Sequence, residues 1–151
     1  MIIIRKALPG DSLKIAGFQV EMARETENLD LDAAVVRKGV DAVFADKSKG
    51  SYYIAESGGF VIASLLTTYE WSDWRNGMIV WLQSVYVLPE FRKKGIFNEL
   101  FMYIKQMVEA DPTYFGIRLY VDNTNEQAIQ VYRKCGMDGD HYRLFEWMSP
   151  G

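Results

Sequence analysis

The chain alternates between a two-residue and a three-to-four-residue hydrophobic period. The opening run at residues 2–7 is apolar and β-rich, and reads as a strand ending at Pro9-Gly10. Asp11 and Ser12 then offer cap oxygens to a helix in which Leu13, Ala16, Gly17 and Val20 recur at helical spacing. A second helix is expected over about 32–45, with Ala33, Val36, Val40, Val43 and Phe44 as its stripe. "SYYIAES" and "FVIASLLTTYE" are β-rich, and the Ser-Gly-Gly between them reads as a hairpin turn. A polar, aromatic loop, "WSDWRNG" (71–77), leads to a strand at 78–88 whose near-continuous apolar run implies burial on both faces. Ile96, Phe97, Leu100, Phe101, Ile104, Met107 and Val108 then mark a helix closed by Asp111-Pro112. A strand at 114–121 follows, then a helix capped by Asn125 and stopped near Gly136, then a last strand, "HYRLFEWM". The order β-α-α-β-β-β-α-β-α-β gives an α+β or mixed α/β fold in one domain spanning 1–151.

Composition narrows the class. With 151 residues, 49% apolar and 25% charged, the chain suits one globular domain. A domain of this size buries roughly 68–70% of its unfolded surface, so no staple is needed. The net charge of −3 and the lack of a long basic stripe argue against nucleic acid as a partner. A single cysteine forbids an intrachain disulfide and suits a cytoplasmic location. One His and one Cys do not make an ordinary zinc site, so no metal is expected. There is no apolar run of about 18 residues for a membrane span. The first residues lack the basic-then-apolar order of a signal peptide.

The chemistry concentrates at "VLPEFRKKGIF", where a buried strand gives way to a helix. The first turn of a helix leaves about four backbone N–H groups without helical partners. The helix dipole adds roughly half a positive charge there. Gly95 lets an anion approach the backbone, and Arg92, Lys93 and Lys94 add mobile positive charge. Neither a Walker A loop nor a dinucleotide fingerprint is present. Taken alone, the stretch reads equally well as a solvated basic loop with a glycine in its turn.

Arg92-Lys93-Lys94-Gly95-Ile96-Phe97 resembles motif A of the GNAT (Gcn5-related) N-acetyltransferases, [RQ]-x-x-G-x-[GA]. "NTNEQAIQVYRKCGM" resembles the family's motif B, with Asn125, Ala128, Tyr132 and Gly136 in place and Met137 where Phe is usual. The element order also matches the GNAT fold, a central, mostly antiparallel sheet with flanking helices. The resemblance implies acetyl-coenzyme A as the donor and a primary amine, on a small molecule or a protein, as the acceptor. It implies that the backbone of Val85, Tyr86 and Val87 receives the pantetheine arm, and that residues Arg92, Lys93, Lys94, Gly95, Ile96 and Phe97 cradle the pyrophosphate. Asn125 and Ala128 would lie along the coenzyme. Tyr132 would protonate the leaving thiolate, although it also lies on the apolar stripe of its helix and reads as core.

Phe97 stands where the motif wants Gly or Ala, so it either crowds the phosphate or turns into the core beside Phe101. Residues 78–88 contain no Asp, Glu or His to serve as the base that some relatives carry on this strand. Glu70 and Asp73 are candidates, as are Glu21, Glu25 and Glu27; as a group they suggest an acidic pocket for a cationic amine. Trp71 and its aromatic neighbours form either a substrate wall or a subunit interface, and a homodimer is expected through this loop or the last strand. His141 receives no catalytic role. The rival expectation is an acyl-coenzyme A binding module of the same fold with weak or no catalysis.

Overall fold

A computed structural model describes residues 1–151. Its elements are β1 (Ile2–Lys6), α1 (Ser12–Glu27), α2 (Ala33–Ala45), β2 (Ser51–Ser57), β3 (Phe60–Ser72), β4 (Gly77–Val87), α3 (Ile96–Ala110), β5 (Tyr114–Arg118) and α4 (Glu126–Lys134). The strands form one sheet in the order β1-β2-β3-β4-β5. The first four are antiparallel neighbours and β5 runs parallel to β4. The fold is therefore α+β with a mostly antiparallel sheet. The chain divides into two compact units, residues 1–118 and 119–151.

In the first unit the sheet is packed on both faces. Ala7, Ile15, Ala16, Val40, Tyr52 and Ile54 form a core between one face and helices α1 and α2, with Val36, Val43, Phe44 and Leu66 against it. On α3, Ile96, Phe97, Leu100, Phe101 and Ile104 are buried. No residue of β4 is exposed, in keeping with its apolar run. Asp32 caps α2 by accepting from the N–H groups of Ala34 and Val35 at 2.9 and 3.3 Å.

The buried stripe of α1 differs from the expected one. It runs through Ser12, Ile15, Ala16, Phe18, Gln19 and Ala23, while Leu13 is exposed. Gln19 conceals this stripe in the sequence, since it is polar yet buried; its amide donates to the Ile15 carbonyl at 3.3 Å. Asp11 does not cap α1 with its side chain either. Its carboxylate accepts from the Leu8 N–H at 2.8 Å and from the Arg5 guanidinium at 2.8 and 3.1 Å. Arg5 also bonds Glu56 on the neighbouring strand.

That network makes a stability prediction. The Arg5 guanidinium holds the Asp11 carboxyl below its usual range, helped by the Leu8 N–H. A depressed folded-state pKa contributes stability above the unfolded value of about 3.9, and that stability is lost as pH falls through the folded value. Asp11→Asn is expected to cost about 1–2 kcal/mol at neutral pH. The difference from the native chain should close in acid, as read from urea midpoints at pH 7 and below 4.

Two expected strands are corrected. The strand predicted at 114–121 ends at Arg118, where its ladder with β4 ends at the Trp81–Arg118 pair. "HYRLFEWM" is not a strand; residues 141–148 pair with no strand of the chain and lie in no regular element. A β-rich run becomes a strand only when a partner takes up the backbone hydrogen bonds. The polar loop is also shorter than expected, because β3 continues through Ser72 and β4 begins at Gly77.

In the second unit, α4 begins and ends as its sequence predicts. The Asn125 side-chain oxygen accepts from the Ala128 N–H at 3.1 Å. At the other end the Met137 N–H bonds the Tyr132 carbonyl and the Gly136 N–H bonds the Arg133 carbonyl, at 3.1 and 3.0 Å. With Gly136 at φ +90°, this is a Schellman stop.

Candidate active site

The sheet of the first unit parts between β4 and β5. β4 and β5 pair from Met78–Tyr114 to Trp81–Arg118, and beyond that point β4 has no neighbour on its β5 side. The edge of β4 at residues 82–87 is thus an unpaired strand edge facing a wedge, the arrangement that receives an extended ligand by strand addition. Within the same segment β4 is distorted. Leu66 pairs with Gln83 and Ser64 with Tyr86, so Ser84 and Val85 oppose the single residue Leu65. Ser84 adopts φ +52°, uncommon for a residue with a Cβ. Such a bulge leaves one residue out of the ladder and re-aims its backbone groups.

The chain leaves this edge through the basic turn. Lys93 and Gly95 both have left-handed φ, +62° and +77°. Gly95 is the N-cap of α3. A Cβ built on Gly95 meets nothing within 4 Å, so the backbone is open on that side. The turn is strained for other residues and suits an anion at a helix N-terminus. Phe97 does not crowd it. The ring is buried and stacks on Phe101, with centroids 6.1 Å apart. Lys94 lies over the Phe91 ring at 5.6 Å. The residues present therefore fit a pyrophosphate.

Arg92 is held differently from Lys93 and Lys94. Its Nε donates to the Val87 carbonyl at 2.9 Å and an Nη donates to Glu25 at 2.7 Å. Its guanidinium lies 5.4 Å from the centre of the Tyr86 ring. The Tyr86 hydroxyl donates to the other oxygen of Glu25 at 2.9 Å, and its ring packs on Phe18 of α1. Burial pushes the Tyr86 phenol up to about 12, with the Glu25 carboxylate adding to the effect. Glu25 keeps a lowered pKa because its bonds from Arg92 and Tyr86 outweigh its desolvation. Glu21, one turn earlier on α1, pairs with Arg24 at 3.2 Å.

Glu70 reaches the point where β4 and β5 part. It accepts from the Trp81 indole N–H at 2.8 Å and from Arg118 at 2.8 and 3.1 Å. Next to it, the Gln83 amide donates to the Thr68 hydroxyl at 2.7 Å. By the two-residue period of β3, Thr68 and Glu70 share the sheet face of Leu66, which packs in the α1/α2 core. The bonds from Trp81 and then Arg118 hold Glu70 below its usual range. These bonds favour the ionised form of Glu70, the charge that either a base or a cation-binding group would need.

Trp71 and Asp73 are not brought to this place. Trp71 pairs with Met78 at the far end of the hairpin and points to the opposite face from Glu70. Its face, not its position along the strand, separates it from Glu70, which pairs with the neighbouring Ile79. Trp71 and Trp74 are both exposed there. Tyr132 lies on α4 of the second unit, and burial followed by the neighbouring Cys135 raises its phenol above the ordinary value.

Sequence reasoning missed Trp81, Gln83, Ser84 and Arg118. A signal was present, since Gln83-Ser84 interrupts an otherwise apolar strand. Arg118 becomes visible only once β5 is paired to β4.

An unpaired strand edge beside a left-handed basic turn at a helix start has the shape and donors to suit an extended ligand ending in phosphates. The model of the acetyltransferase (GNAT) family matches residues 20–137, and this chain belongs to that family. The chain is 43% identical to a possible acetyltransferase from Clostridium difficile 630, which it matches over 100% of its own length and 99% of the other, with a TM-score of 0.91. It is 27% identical over 149 residues to the thialysine N-epsilon-acetyltransferase of Bos taurus, covering 89% of this chain and 83% of that protein. The fold is shared with a predicted acetyltransferase from Clostridium acetobutylicum solved with acetyl-CoA, at 18% identity and a TM-score of 0.75 over 97% of this chain and 96% of that one. Acetyl transfer is the class of chemistry these similarities support. No helix is long and apolar enough to cross a membrane.

Proposed function

We propose that this chain transfers the acetyl group of acetyl-coenzyme A to a primary amine on a small cationic acceptor. The observation that carries the reading is the parting of β4 from β5 after Trp81 and Arg118, next to the open turn at Gly95. The backbone of Val85, Tyr86 and Val87 would hold the pantetheine arm. Lys93, Lys94 and the first-turn N–H groups of Ile96 and Phe97 would hold the pyrophosphate, joined by Arg92. Asn125 and Ala128 are carried over to the coenzyme from motif B.

Acetyl-coenzyme A supplies an acetyl thioester, and the chain's own groups do the rest. The bulge at Ser84-Val85 re-aims backbone groups toward the unpaired edge, where a donor can meet developing negative charge. Tyr132 serves as the proton donor to the leaving thiolate, a role carried over from motif B; its phenol, raised by burial, is protonated at neutral pH and yields its proton only to a strongly basic thiolate. Glu70, already bonded by Trp81 and Arg118, offers its remaining acceptor capacity to a charged group of the acceptor, while the attacking nitrogen gives its proton to water before it adds to the thioester. Glu21 and Glu25 add negative charge at the end of α1. The name of the Bos taurus relative, with an amine nitrogen as acceptor, supports this choice.

The test is an acetyl-coenzyme A titration followed by acetylation assays with thialysine, lysine and a polyamine, read by mass spectrometry. Coenzyme binding with an acetylated product supports the reading; coenzyme binding with no product from any amine would leave a binding module in its place. Glu70→Gln is expected to raise KM for the cationic amine about ten- to a hundredfold, since a charged hydrogen bond contributes about 1.5–3 kcal/mol. KM for acetyl-coenzyme A should not move. The exposed Trp71, Trp74 and the aromatic segment 141–148 support a homodimer, for which light scattering should return twice the chain mass.

A further inference from the structure

Two residues assigned to different substrates hold each other. Glu25 lies in the last turn of α1, among the carboxylates proposed above for the amine, and Arg92 begins the proposed phosphate turn, yet one Glu25 oxygen accepts from Arg92 at 2.7 Å. The other oxygen is held only by the Tyr86 hydroxyl, at 2.9 Å. We propose that Glu25 is a resident counter-anion for Arg92, displaced by the coenzyme's pyrophosphate and thereby released to the amine. The inference rests on the coenzyme reading given above.

The geometry suits an exchange. Arg92 has a second anchor at the Val87 carbonyl and lies over the Tyr86 ring, so its stem stays fixed while its terminal nitrogen changes partner. The ion pair is partly solvated, with side chains 41% and 34% exposed, and such pairs hold weakly. A pyrophosphate carries more charge than a carboxylate and accepts from a guanidinium in the same planar, two-pronged manner. Glu25, once freed, keeps its bond from Tyr86 and gains an oxygen free to accept. Tyr86 and Glu70 share the α1 face of the sheet, with Glu70 farther along β4, so the released charge adds to the negative charge of that face. The amine site would thus reach its full negative charge only after the coenzyme has bound. By reciprocity the amine would also tighten the coenzyme.

Calorimetric titrations with coenzyme A and with pantetheine, which lacks the pyrophosphate, test this on the whole chain. Glu25→Gln keeps an acceptor for Tyr86 but gives up the charge. It is expected to bind coenzyme A about three- to tenfold more tightly than the native chain. Its affinity for pantetheine should be unchanged. Arg92→Gln should weaken coenzyme A, and adding Glu25→Gln to it should bring no further change, because no pair remains to release. If Glu25→Gln binds coenzyme A no more tightly, or shifts pantetheine by the same factor, Glu25 only braces the turn and the proposal falls. Failure of the native chain to bind coenzyme A would remove the coenzyme reading itself, and this inference with it. Thermal melts of each variant separate lost folding from lost binding.

Discussion

Replacing Gly95 by aspartate is expected to weaken coenzyme A binding about 100-fold or more. Two effects act at this residue. The first is conformational: φ is +77°, where a Cβ costs about 1 kcal/mol or more. The second is electrostatic. A carboxylate about 4 Å from a phosphate costs about 4 kcal/mol at an effective dielectric of 20, and salt screening leaves part of that. Even half of it exceeds the 1.4 kcal/mol that corresponds to a factor of about ten. Gly95→Asn separates the two, because asparagine tolerates the left-handed region and has nearly the same shape without the charge. Titration should find binding weakened mildly by Gly95→Asn and severely by Gly95→Asp, with similar melting temperatures for the two variants. Equal loss in both would mean that backbone strain, not charge, governs the turn.

Tyr132→Phe is expected to lower kcat about 10²–10³-fold, within the range of general-acid contributions. KM for acetyl-coenzyme A should stay near the native value, because the hydroxyl acts on the leaving group and not on the phosphates. The phenol is raised by burial, so the protonated form persists across the working range and loss of activity from its ionisation should begin only above about pH 10. Steady-state kinetics of native and variant chains across pH, with one acetylated amine as product, check both statements. Unchanged kcat with a lowered melting temperature would make Tyr132 a packing residue of α4.

The elements that position this site were legible where a single local rule acts. The N-cap role of Asn125, the Gly136 stop and the run from Ile96 to Ile104 follow from neighbours within a turn or two. The turn that begins α3 was legible because Gly95 stands just before the apolar run of the helix. The parting of β4 from β5 was not, since it depends on where a parallel ladder stops. The stripe of α1 was misplaced because Gln19 is polar but buried through a bond to its own helix. The Glu25–Arg92 bond joins residues 67 apart and leaves no local trace. Segment 141–148 shows the reverse: an aromatic-rich run without a partner strand.

The unpaired edge of β4 has a bearing on handling as well as on chemistry. Bare strand edges are templates for another chain's backbone, and natural sheets cover or blunt them. Here the blunting device is partial: Ser84 and Val85 buckle the edge without closing it. A bound coenzyme would close it from outside, so it would serve in storage as a lid on an adhesive surface. At a hundredfold excess over Kd it would add about 2.7 kcal/mol to stability. Preparations kept with coenzyme A are therefore expected to stay clear on concentration and warming under conditions where the bare chain clouds.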